Sequence, residues 1–202
     1  MEQHKNSVTF VQRSDENTKR DFPFDYELKI KYTINGDTVT NEYTVTNTGE
    51  DKLPFVIGGH PAFNCPLAKN EKFEDYKVVF DKNITKPCLR PDHHTGLVNV
   101  FEKFDEMHGG DTLSLVHELF EEKDALIFEN CEAKSATLIG KSGKGVKIEF
   151  QDMNNLLIWS AVGNAPFVAL EPWTGLASCN DEDGLFEHKR GMTAVSYTHL
   201  TL

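Results

Sequence analysis

Tyr26-Glu27-Leu28-Lys29-Ile30-Lys31-Tyr32-Thr33-Ile34-Asn35-Gly36-Asp37 alternates apolar and polar residues without a break and then turns. Successive side chains of a strand point to opposite faces, so the pattern predicts a half-buried strand. The Asn-Gly step tolerates the positive φ of a tight hairpin. Residues 39–46 alternate back, and Asn47-Thr48-Gly49-Glu50 turns the chain again. Outward from this hairpin the same signals recur at 7–12, 76–80, 125–128, 136–139, 146–150, 156–161 and 167–170, with turn-rich loops at 142–145 and 162–166. Helical spacing is confined to 113–122, where Leu115, Leu119 and Phe120 mark a short turn. Many short strands with Gly, Asn and Pro turns imply an all-β protein, an antiparallel sandwich or barrel. With no linker or repeat visible, residues 1–202 read as a single domain.

A chain of 202 residues with 39% hydrophobic and 26% charged residues has the composition of a globular protein with a substantial core. Its net charge of -11 argues against nucleic acid and against an anionic membrane surface, both of which call for Lys and Arg clusters. A neutral or cationic small molecule fits better. Cys65, Cys88, Cys131 and Cys179 have neither zinc-ligand nor disulfide-framework spacing, so reduced thiols in the cytoplasm are the simpler account. The opening residues lack the apolar segment of a signal peptide, and no run is long enough to cross a bilayer as a helix.

Two clusters carry the candidate chemistry. In Gly58-Gly59-His60-Pro61-Ala62-Phe63-Asn64, glycines offer unusual backbone angles and Pro61 biases His60 toward an extended conformation. That constraint around a titratable side chain predicts a positioned acid or base; the competing reading is a local turn. In Phe167-Val168-Ala169-Leu170-Glu171-Pro172-Trp173-Thr174-Gly175, a lone carboxylate follows four apolar residues. Burial there would raise its pKa toward the range of a general base, whereas a Glu at a strand end could instead be exposed. Trp173 offers either a core side chain or the flat apolar face that accepts a sugar ring.

With Cys65-Pro66-Leu67 and the stretch containing His117-Glu118-Leu119-Phe120 and Asp124-Ala125-Leu126-Ile127-Phe128, these clusters resemble, in order, the aldose 1-epimerases (galactose mutarotases) of the LacX-like branch. The resemblance runs from about Asp21 to Val195. It implies an antiparallel β-supersandwich and a metal-free, cofactor-free isomerase that interconverts the α and β anomers of hexoses in carbohydrate metabolism. It also implies that His60 is the general acid, Glu171 the general base and Asp124 a ligand of sugar hydroxyls. Phe63, Asn64 and Trp173 would then shape or support the pocket. A departure accompanies it: nothing in residues 1–21 matches the family's N-terminal Arg and His-Gly-Phe-type motif. The chain is therefore expected to correspond to the C-terminal two-thirds of the family domain, incomplete at the N-terminus, with 198–202 departing from the usual end. The alternatives are a non-catalytic carbohydrate-binding sandwich, an inactive fragment or a hexose-6-phosphate 1-epimerase, for which the negative charge is mildly unfavourable. The sequence assigns no oligomeric state.

Other motifs are weaker. His93-His94 lies in a loop-like Asp-His-His-Thr-Gly stretch, and adjacent residues of an extended chain diverge. His117-Glu118 lacks the second zincin histidine, since position 121 is Glu121. Asp181-Glu182-Asp183-Gly184 lacks the ligand spacing of a calcium loop and reads as a solvated turn. Ser160 and Ser178 lack a nucleophile elbow.

Overall fold

The computed structural model describes residues 1–121, 124–195 and 199–201, the last stretch by its backbone. Two compact units divide the chain: Met1–Phe55 with Thr193–Leu202, and Val56–Met192. In the first unit, β1 (Glu2–His4), β2 (Ser7–Arg13), β3 (Tyr26–Asn35) and β4 (Thr38–Asn47) form an antiparallel meander, followed by β5 (Leu53–Phe55). The predicted hairpin is β3–β4, with Asn35 opposite Thr38 and Gly36 at φ 61° in the two-residue loop. Burial along β4 has the expected period of two, Tyr43, Val45 and Asn47 being buried between half-buried neighbours. A single helical turn, α1 (Thr18–Asp21), links β2 to β3.

The second unit contains β6 (Ala62–Asn64), β7 (Tyr76–Phe80), β8 (Cys88–Pro91), β9 (Val98–Phe104) and β10 (Thr112–Ser114). After the turn α2 (Glu118–Glu121) come β11 (Leu126–Phe128), β12 (Ser135–Gly140), β13 (Gly145–Glu149), β14 (Asn155–Trp159) and β15 (Phe167–Trp173). The chain then returns to the first unit with β16 (Thr193–Val195), paired to β5, and β17 (His199–Thr201), paired to β4. Thr198 and Leu202, within the stretch expected to depart from the family's end, lie outside the described residues.

Two antiparallel sheets build the second unit, one of order β10-β7-β12-β13 and one of order β6-β15-β14-β11-β8-β9. Val78, Phe80, Ala136 and Leu138 from the first sheet are buried, as are Leu126, Phe128, Leu156, Ile158, Val168 and Leu170 from the second. Phe80 meets Phe128 edge-on at 5.3 Å between ring centroids, so the sheets close as a sandwich over these alternate residues. The opposite face of the six-stranded sheet carries a second apolar cluster, Leu89, Val98, Ala125, Ile127 and Leu157 among its members, with Trp159 and Trp173 packed on it.

One expectation is narrowed and another corrected. Within 113–122 only Glu118–Glu121 is helical; Leu113 belongs to β10 because its alternation with exposed neighbours suits an edge strand, and Glu122 lies outside the described residues. The last apolar strand does not stop at Leu170 but continues through Glu171 and Pro172 to Trp173.

Candidate active site

The segment before β6 continues along β15 in one register. Asn64, Phe63 and Ala62 pair with Phe167, Val168 and Ala169. Beyond them Leu170 N–H donates to Pro61 O at 3.1 Å, Gly59 N–H to Pro172 O at 3.0 Å, and Thr174 N–H to Ile57 O at 2.8 Å, with Gly58 bridged to Trp173. This register places His60 directly opposite Glu171, and residues opposite each other in an antiparallel pair share a face. The distance agrees: His60 Nε2 lies 3.3 Å from Glu171 Oε1.

Their environments differ sharply. Glu171 is 2% exposed, in mid-strand and opposite the buried Leu157 of β14, whereas the His60 side chain is 56% exposed. The exposed strand-end alternative for Glu171 is thereby overturned. Burial, and secondarily the negative charge of Asp124, push the Glu171 carboxyl from 4.5 up to about 7. A group with that pKa exchanges protons readily at neutral pH.

Gly58 serves by its lack of a side chain, not by an unusual φ. A Cβ there would lie 2.3 Å from Trp173 Cδ1 and 2.9 Å from Pro172 O. The indole thus lies over the glycine, and its Nε1–H donates to Gly59 O at 3.2 Å. Gly58→Ala is expected to cost about 1–3 kcal/mol through this clash; a thermal melt indistinguishable from that of the parent would show that the indole moves aside freely. Asn155 fixes the far end of β15, donating from Nδ2 to the carbonyls of Trp173, Thr174 and Gly175 while its Oδ1 accepts the Asn130 N–H.

Asp124 precedes β11 at φ 56°, a left-handed conformation that Asp adopts more readily than most residues. Its Oδ1 accepts the indole N–H of Trp159. Trp159 also meets the His60 ring edge to face, with centroids 5.6 Å apart. The structure therefore places His60, Glu171 and Trp173 on one sheet face, with Asn64 further along it opposite Phe167 and Asp124 tied to the same face through its bond from Trp159. Phe63 falls on the other face, beside Val168, where it can back the edge strand but does not share the surface of Glu171. Sequence reasoning missed Trp159. Its signal was parity: Trp159 pairs with Ala169, two residues from Glu171, and so shares its face.

The remaining motifs have local partners. His117 stacks on Phe73 at 3.9 Å, and His94 N–H caps Asp92 Oδ1 at 2.8 Å. The acidic turn proves to be ion-paired: Asp181 with Arg190, Glu182 with Lys189 and Asp183 with His188. All four cysteines are buried free thiols, and burial pushes Cys65 up to about 12.

A galactose mutarotase related enzyme from Lactobacillus acidophilus has a similar structure, with TM-score 0.87 and 26% identity over 99% of this chain and 67% of its own. A galactose mutarotase-like protein from Lactobacillus casei ATCC 334 gives TM-score 0.87 and 30% identity over 100% and 69%. Residues 1–180 match the family model for aldose 1-epimerase, and the chain belongs to that family. It is also 37% identical over 198 residues to the plasmid-borne Protein LacX of Lactococcus lactis subsp. lactis, covering 96% of this chain. The chain spans 65% of the length of that curated relative.

Proposed function

We propose that this sheet face is the active site of an aldose 1-epimerase acting on hexoses, with Glu171 as general base and His60 as general acid. The carrying observation is the cross-strand pair, His60 Nε2 at 3.3 Å from a Glu171 carboxylate whose pKa is raised to about 7. Ionised Glu171 takes the proton of the anomeric hydroxyl while protonated His60 gives its proton to the ring oxygen. The C1–O5 bond breaks as the C1–O1 double bond forms, leaving an open-chain aldehyde. Rotation about C1–C2 and return of both protons gives the other anomer. The electrons and protons balance without a cofactor, and each side chain ends as it began.

Asp124 accepts a hydrogen bond from a sugar hydroxyl, Trp173 offers an apolar ring face, Asn64 adds polar contact and Phe63 supports the strand from behind. The Asp124 carboxylate beside the pair favours an uncharged hexose over a hexose 6-phosphate, whose dianion it would repel. The four buried thiols support a reducing compartment, the cytoplasm. Saturation-transfer NMR on glucose and galactose anomers tests the activity. Exchange faster than buffer is expected, with the low-pH limb of its profile set by Glu171, raised to about 7, losing its proton. Saturable sugar binding without exchange would favour a carbohydrate-binding sandwich instead, and neither would sink both.

A further inference from the structure

The placement of Trp159 gives it a hold on two members of the site at once. Across β15 its neighbours are Ala169 and, one strand further, Ala62, and these two methyl groups leave room for an indole on the face. The ring packs on the apolar cluster beneath and lies 5.4 Å from the Phe167 ring, which limits its rotamers. From that fixed base its Nε1–H reaches Asp124 Oδ1 and its ring abuts His60 at 89°. Asp124 needs such a hold. It sits in the left-handed region ahead of β11, its own N–H donating to Phe120 O at 3.2 Å, so its carboxylate is not aimed by a strand.

We propose that Trp159 is a positioning residue of this site, holding Asp124 through its indole N–H and His60 through ring contact, both in register with Glu171. The proposal rests on the acid–base reading of His60 and Glu171 and adds what keeps the neighbours of that pair in place. Bonding Oδ1 from within the protein leaves lone pairs on the same carboxylate for a sugar hydroxyl. It also offsets part of the negative charge that Asp124 presents to Glu171. Among the described residues, the titratable groups facing Glu171 are His60, from the segment before β6, and Asp124, from the segment before β11; β14 contributes Leu157 and Trp159.

The test uses the full chain labelled with nitrogen-15, with the Trp159 and Trp173 indole signals assigned through Trp→Phe variants. The Trp159 indole proton is expected to exchange slowly with solvent and to shift when Asp124→Asn replaces the charged acceptor. Trp159→Phe keeps a ring beside His60 but has no donor. Its kcat for anomer exchange is expected to fall about tenfold, in the range set by loss of orientation, with a smaller change in KM. Its rate is expected to rise at higher pH than in the parent, because the charge of Asp124 then acts undiminished on Glu171. An indole proton that exchanges as a free one and ignores Asp124→Asn overturns the proposal. So does a Trp159→Phe enzyme with the parent's kcat and pH profile. If the parent exchanges no sugar anomers, the acid–base reading falls and the indole measurements decide the positioning role alone.

Discussion

Glu171→Gln is expected to lose anomer exchange by about 10² to 10⁴-fold, the usual contribution of a positioned acid or base, while melting at a higher temperature than the parent above neutral pH. The stability gain follows from the burial that raises the carboxyl from 4.5 to about 7. Between those values the folded protein holds a proton that the unfolded chain has released, so stability falls as pH rises through the window and stays lower above it. The shift corresponds to at most about 3 kcal/mol. Glutamine has the shape of the protonated acid and no charge to desolvate. Melts of the two proteins should therefore coincide below about 4.5 and separate progressively to pH 8, the variant being the more stable. A variant less stable at pH 8 would mean that the carboxylate is favoured as an anion, contrary to the site described.

His60→Ala is expected to show a comparable loss of rate, about 10² to 10⁴-fold, with a different footprint on stability. The side chain is more than half exposed, so the melt should move by no more than the roughly 0.5 kcal/mol typical of surface substitutions. Imidazole added to the solution should restore part of the rate in His60→Ala, since the space it leaves opens to solvent and faces Glu171. The same imidazole should do nothing for Glu171→Gln, which lacks the base. Rescue of neither variant, with His60→Ala as fast as the parent, would remove His60 from the chemistry and leave it a surface residue.

Local alternation was enough to identify the β3–β4 hairpin, because each residue reports its own face and Asn35-Gly36-Asp37 marks the turn, whose loop is Gly36-Asp37. It was enough as well for the all-antiparallel class. Proline misled at β15: lacking an N–H, Pro172 reads as a strand end, yet at this position it offers its carbonyl to Gly59 while Glu171 and Trp173 continue the pairing with β14. The facing of His60 and Glu171 was beyond local reading, since it depends on the register between segments more than a hundred residues apart in sequence. Phe63 and Trp159 were judged without that register, so the face of the first stayed open and the second was overlooked. Asp124 was found by resemblance, but its bond to Trp159 depends on a left-handed backbone at Asp124 that no spacing encodes.

The alternation of β15 also works as a proofreading device during assembly. Leu170 and Pro172 flank Glu171, and Leu170 is buried between the sheets. Should β15 slip by one residue against β14, the whole strand would exchange faces and thrust the carboxylate into the sandwich interior. Burying it there without a partner costs far more than losing a few ladder hydrogen bonds. The residue assigned to proton transfer therefore also penalises the nearest misaligned neighbours of its own strand, and exchanging it for an apolar side chain would make the sheet more permissive of error even as it made the correctly paired sheet more stable.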